Sequence, residues 1–240
     1  MPADILLTVI VTSVIQSIFG VGVLLFGTPL LLLLDYDFIN ALVILLPISI
    51  AINALQIIKH HSLIDIHFVK NVLRYTIPFI VLFLFIVTSG KVNIGVLVGG
   101  FLILVALKDV FPRLQRLLDL MVRYERIYLG LMGIVHGLTN LGGSLLTAIV
   151  HGKQYQKNQT RVTIAICYAM FAAFQIATLA IIGRDVQIPY AQNVSLLQIG
   201  IIMFLVTEEM LYSKIDNEKY NKIFALFLLL SGVLLFLKSI

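Results

Sequence analysis

Charged residues divide the chain into long apolar runs. Stretches free of Asp, Glu, Lys and Arg cover residues 5–34, 38–58, 75–90, 92–107, 127–152, 162–183, 186–207 and 223–237. A helix needs ~20 residues, or ~17 at the short end, to cross the hydrocarbon core of a bilayer. The shorter runs reach that length when Lys91, Lys108, Lys222 and Lys238 extend to the interface. A β-barrel would instead require ~10-residue stretches of alternating polarity, which these runs do not show. The pattern predicts an all-α polytopic membrane protein with about eight transmembrane helices.

Two runs are too long for one crossing. A straight helix over 5–34 would measure ~45 Å against a ~30 Å core. Near its middle stands Phe19-Gly20-Val21-Gly22, followed by Gly27-Thr28-Pro29. The middle of 127–152 carries His136, Gly137, Thr139, Asn140, Gly142, Gly143 and Ser144. Weak helix formers and small polar side chains predict that helices 1 and 5 are broken there. Gln16, Gly20 and Gly22 precede His136, Asn140 and Gly142 by 120 residues, half of the 240-residue chain. Each break is followed by a helix with an internal glutamine, Gln56 or Gln175, and each half closes on a lysine, Lys108 or Lys238. These features suggest two related four-helix halves, residues 1–112 and 127–240, joined by a basic connecting loop over 113–126. If both broken helices cross the membrane the halves are parallel; if both are re-entrant hairpins they are inverted. The sequence leaves both open.

Composition narrows the class. Hydrophobic residues make up 60% and charged residues 12%, with a mean hydropathy of +1.05. A soluble domain is ~45–50% apolar and ~25% charged, so most of this surface faces lipid. A soluble enzyme, a secreted disulfide scaffold and a disordered tail are excluded. One cysteine, Cys167, allows no internal disulfide and reads as a small buried hydrophobe. A net charge of +5, scattered along the chain, is no nucleic-acid footprint. The N-terminus lacks a basic segment before its apolar run, so no cleavable signal peptide is expected. If every run crosses once, Lys and Arg divide ten to seven between the faces, with the surplus in loop 108–126. That loop is expected in the cytoplasm and the chain in the cell inner (plasma) membrane.

Interrupted backbone at membrane depth must face protein or a water-filled cavity, and paired discontinuous helices point to a transporter's binding site. The half-helices after Gly22 and Gly143 would begin with unpaired amides at the positive end of the helix dipole, which suits an anion. Gly20, Gly22, Gly142 and Gly143 would permit close approach, and Thr28, Thr139, Asn140 and Ser144 would add short polar groups. Glycine also serves simple helix packing, which is how Gly95 and Gly99 read. His136, inside a span and one turn before Asn140, can bind or carry a proton, or merely join two helices. Arg161 can clamp an anion with two hydrogen bonds, or anchor its helix at the interface. Gln16, Asn53, Gln56 and Gln175 could line the same cavity or tie helices together. Glu208 and Glu209 read as interfacial. His60, His61 and His67 with Asp65 read as a solvated loop, and no metal or cofactor is expected.

The pattern Gln16-Ser-Ile-Phe-Gly20-Val-Gly22, with Pro29 and then Ser49 and Asn53, resembles the sulfite exporter TauE/SafE family. Asn140-Leu-Gly142-Gly143-Ser144, with Lys157, Thr160 and Arg161 beyond it, resembles the family's second motif and the polar loop after it. Val23 stands where a longer glycine run is usual, and Ile149 where a counterpart of Pro29 is expected. The resemblance implies a secondary transporter, exporting sulfite, organosulfonates or related organic acids. Its implied partners are a small anionic substrate and the lipid bilayer, and it is compatible with a homo-oligomer. The competing readings are a channel or a structural membrane subunit. An intramembrane enzyme built on Ser144, His136 and His151 comes third, because no glycine follows two residues after the serine.

Overall fold

A computed structural model describes residues 2–90, 92–107, 123–183, 190–211 and 229–240, all of it helix and short connections. In chain order the helices are α1 (Ala3–Phe19), α2 (Val23–Leu33), α3 (Phe38–His60), α4 (Ile66–Tyr75) and α5 (Ile77–Ser89). They continue with α6 (Ile94–Leu107), α7 (Glu125–Thr139), α8 (Gly143–Gly152), α9 (Lys157–Ile182), α10 (Tyr190–Leu211) and α11 (Leu229–Ser239). Local signals set the boundaries. Asp37 caps α3 by accepting the Ile39 N–H, Asp65 caps α4 by accepting the Phe68 N–H, and Gly183 ends α9 in a left-handed turn. Four stretches, Phe38–Leu63, Ile66–Ser89, Lys157–Ile182 and Ala191–Glu208, are long and apolar enough to cross a membrane.

The two overlong runs are interrupted where expected, but neither continues across. The α1 helix ends at Gly20, whose φ of 74° is left-handed and strained for any residue with a Cβ. The chain then doubles back. A Cβ on Gly22 would lie 2.6 Å from the Gln16 nitrogen and 2.7 Å from the Thr12 oxygen, two turns back along α1. Near the open ends of this hairpin, Tyr36 donates to Asp4 Oδ2 at 2.9 Å. The α7–α8 pair repeats the fold. Asn140 (φ 61°) takes the left-handed position, which asparagine tolerates. A Cβ on Gly142 would meet Met132 O at 2.9 Å. Tyr128 donates to Leu145 O at 2.7 Å, and Lys153 Nζ lies 2.8 Å from Glu125 Oε2. Had α8 continued the course of α7, Lys153 would end roughly 40 Å from Glu125 at the ~1.5 Å rise of a helix. The single-crossing reading of 5–34 and 127–152 is therefore corrected: each forms a helical hairpin that starts and finishes at the same end of the molecule.

Other spans shift as well. The run expected at 75–90 belongs to a longer helix that starts at Ile66 and changes direction around Thr76, ahead of Pro78. Thr76 donates its hydroxyl to Leu129 O at 3.0 Å, tying this bend to α7. Span 162–183 starts earlier, at Lys157. Of the last span, 223–228 lies outside the described residues, as does most of the connecting loop, 108–122.

Helix α3 packs along α9, α1 along α10 and α5 along α7, while α2 touches α8. Gly99 and Gly232 bring α6 and α11 into backbone contact, so Gly95 and Gly99 serve packing as read. Leu82, Phe85, Leu205, Val206, Leu234 and Leu237 point outward, a surface suited to lipid. At one end, Lys238 Nζ lies 2.7 Å from Asp35 Oδ1 and Asn93 donates to Ser239 O. At the other end, Asn71 donates to Glu125 at 2.7 Å and Tyr155 donates to Asp65. Burial alone would raise the Asp65 carboxyl. The hydrogen bonds from Tyr155 and the Phe68 N–H, with Lys153 nearby, outweigh it and hold the group below its ordinary value.

Candidate functional site

The tip of the first hairpin is wired by amides. Gln16, in the last turn of α1, uses its side-chain oxygen to accept the Val23 N–H at 2.9 Å. Its Nε2 donates to Asn53 Oδ1 at 3.1 Å, and Asn53 Nδ2 donates to Ser49 Oγ at 3.1 Å. One amide expected to be bare at the start of α2 is thus already capped by the chain itself, and the expectation is corrected there. Gln56 lies one turn beyond Asn53 on the same face of α3. It is 2% exposed, and neither atom of its amide has a hydrogen-bond partner among the described residues.

The second hairpin carries a longer relay. His136 Nε2 lies 3.2 Å from Gln175 Oε1, and Gln175 Nε2 donates to Asn140 Oδ1 at 3.2 Å. Asn140 Nδ2 then donates to Thr28 Oγ1 at 2.9 Å, which links the second break to the half-helix of the first. His136 is wholly buried, packs its ring 4.7 Å from that of Phe171, and leaves Nδ1 without a hydrogen-bond partner among the described residues. Two groups stay within their own turn: Thr139 donates to Val135 O and accepts from Leu141 N, and Ser144 donates to Leu141 O at 3.1 Å. A Cβ on Gly143 would overlap the Tyr168 hydroxyl, so the absence of a side chain lets Tyr168 reach the start of α8.

Arg161 is buried in the first turns of α9. Its Nη1 lies 2.9 Å from Glu208 Oε1, and its Nη2 donates to Ser17 O at 3.1 Å. The stem runs past the bare face of Gly20, 3.0 Å from where a Cβ would stand. Lys59 Nζ approaches the same Glu208 oxygen at 3.8 Å, and Thr207 donates to Ser17 Oγ at 2.7 Å. Arg161 is thus no exposed interfacial anchor. Glu208, read from the sequence as interfacial, lies in the last turn of α10 near the exposed Lys59, but its side chain turns inward and is only 12% exposed.

The structure brings the sequence-derived residues into two adjoining clusters. Gln16, Gly20, Gly22, Asn53 and Arg161 gather at the first tip, with Gln56 one turn away along α3. Thr28, His136, Asn140, Gly142, Gly143 and Gln175 gather at the second. Beside this arrangement stands a match to the family model for sulfite exporter TauE/SafE, covering residues 5–235. The chain belongs to the sulfite exporter TauE/SafE family. No curated protein and no solved structure matches it. A TauE/SafE protein is a multi-pass membrane transporter rather than an enzyme.

In this TauE/SafE chain, sequence reasoning missed Tyr168, gave Glu208 no part in the site, and named Ser49 only within the family motif. The Glu208-Glu209 pair follows an apolar run and looks like a helix end reaching water. Only the approach of α9 and of the first tip turns Glu208 inward. Tyr168 is one aromatic among many in an apolar run and gives no signal. An apolar cavity of ≈ 540 Å³ between α3, α9 and α10, lined by Ile39, Leu46, Pro47, Ile176, Leu179 and Val194 among others, includes none of the candidate residues.

Proposed function

We propose that the chain is a secondary transporter that exports a small anion such as sulfite, an organosulfonate or a related organic acid. The anion binds where the two helix breaks meet. The observation that carries this reading is the Asn140–Thr28 hydrogen bond, because it couples the two interrupted backbones through buried, uncharged polar groups. Buried polar groups in a membrane protein tie helices together or line a path for a polar solute, and here they lie beside both interrupted helices. Glycines at the turns and helix starts of both halves let each hairpin close tightly, which brings these polar groups together.

The same reading takes residues 1–112 and 127–240 as two related halves, each opening on a hairpin. Three helical passages, through α3, α4–α5 and α6, separate one hairpin from the next, so the halves are inverted and the hairpins enter from opposite faces. Among the described residues, Lys59, Lys70, Arg74, Arg123, Arg126, Lys153 and Lys157 then share one face, against Lys238 at the other. By the positive-inside rule the basic face is cytoplasmic; an exporter's place is the plasma membrane.

The test is a thermal-shift screen of the detergent-purified protein against sulfite, sulfate, sulfonates and carboxylates, since a ligand of the native state raises its apparent stability. A saturable shift with a sulfur oxyanion or carboxylate, followed by its flux from proteoliposomes, supports the reading. No shift and no flux with any of them refutes it.

A further inference from the structure

The pairing of Arg161 bears on how the proposed site is regulated, and its interpretation rests on the anion-transport function. At the tip of the first hairpin, the guanidinium meets the Glu208 carboxylate and the Ser17 backbone carbonyl. The carboxylate stands 2.9 Å from Nη1, the position an oxyanion of substrate would take. On α3, one turn before the Lys59 that reaches Glu208, the fold leaves polar groups unsatisfied. Gln56, on the same face of α3 as Asn53 and three residues before Lys59, is buried with its whole amide unsatisfied. An unsatisfied buried amide is expensive, and this one lies one turn of α3 from Lys59, which approaches Glu208.

We propose that the Glu208 carboxylate is a tethered stand-in for the substrate. It holds Arg161 against the tip of the first hairpin, and an arriving sulfonate-sized oxyanion displaces it, taking one bond from Arg161 and another from the amide of Gln56. The exchange is open energetically, because a buried ion pair contributes little net stability once the dehydration of both charges is counted. Ordering arises from the same geometry. While Glu208 is bound, the Ser17 carbonyl, the Gly20 turn and α10 are tied together through Arg161 and Thr207. Displacing it removes the Arg161 tie between α10 and this end of the first hairpin and leaves the Thr207–Ser17 contact. Glu208 is therefore a gating and specificity residue, and the site favours singly charged oxyanions small enough to replace one carboxylate.

The test is equilibrium binding of methanesulfonate, whose charge does not titrate, to the full chain in nanodiscs by calorimetry. Glu208→Gln is expected to lower the Kd about tenfold, the scale of one charge-assisted hydrogen bond regained by the ligand. Gln56→Leu is expected to raise it by a similar factor, with wild-type folded yield. Glu125→Gln, which removes a paired carboxylate at the same end of the protein, should leave the Kd within about twofold and so excludes a general charge effect. Should Glu208→Gln not accumulate folded, Glu208→Asp decides, because its shorter side chain competes less well and must also tighten binding. Folded Glu208 variants that bind methanesulfonate no tighter than wild type overturn the tethered carboxylate alone. If neither wild type nor variants bind methanesulfonate, sulfite or sulfate, the anion-transport reading falls with it.

Discussion

Gly22→Ala perturbs the geometry on which both hairpins depend. The added methyl carbon would stand 2.6 Å from the Gln16 nitrogen, 2.7 Å from Thr12 O and 2.9 Å from Gln16 Cα. All three are backbone atoms of one helix, so no rotamer change relieves the overlap. Reaching an ordinary 3.4 Å contact means moving α2 away from α1 by roughly 0.8 Å. That displacement stretches the 2.9 Å bond from the Val23 N–H to Gln16 Oε1 and disturbs the packing of the hairpin. Overpacking of this kind costs ~1–3 kcal/mol, and a weakened buried hydrogen bond adds ~1 kcal/mol. Thermal unfolding in a mild detergent should show a midpoint lowered by roughly 5–10 °C, taking ~2–4 °C per kcal/mol for a chain of this size. Gly142→Ala, with 2.5 Å to His136 Cβ and 2.9 Å to Met132 O, should behave alike. Gly100→Ala is the control: nothing lies within 4 Å of its missing Cβ. Equal midpoints for Gly22→Ala and Gly100→Ala would refute the doubling back of the chain at Gly22.

Three other perturbations probe the relay, the acid-side stability and the topology. Gln175→Leu strands His136 Nε2 and Asn140 Oδ1 without partners in the interior, a loss of about 2–4 kcal/mol that the same unfolding assay would register. Stability from the depressed Asp65 carboxyl is present above its unfolded pKa of ~3.9 and is lost as pH falls through the lower folded value. Tyr155→Phe removes one of the bonds that depress it, so the acid-side fall in midpoint below about pH 4 should be shallower than in wild type. Cysteines placed at Asp35 or Asn93 should react with an impermeant maleimide from the face opposite to cysteines at His67 or Lys153, with buried Cys167 as a silent background. Labelling of all four from one face would disprove the inverted arrangement.

The positions of the breaks were legible because they depend on local chemistry. Gly20 takes a left-handed conformation that glycine alone adopts freely, and Asn140 is among the few residues that share it. The family resemblance rested on the same short motifs, and the match over 5–235 agrees with it. The reversal at each break was not legible. An overlong apolar run obeys the same hydropathy whether it kinks across the bilayer or folds back within it, since both bury the same side chains. Counting such runs as single crossings misplaced the loops, and the ten-to-seven division of basic residues was diluted in consequence.

By itself, the sequence determined the solvent of this protein, the class of its structure and the places where its helices must stop. Hydropathy and backbone conformational preference act residue by residue and need no partner from elsewhere in the chain. Tertiary structure alone decided that each broken run is a hairpin, that Asn140 reaches Thr28 across 112 positions, and that Glu208 turns inward to Arg161. Those facts arise from which helices meet. An amide or a carboxylate carries no mark of whether its hydrogen-bond partner will be water, a neighbour or a group in the other half of the chain.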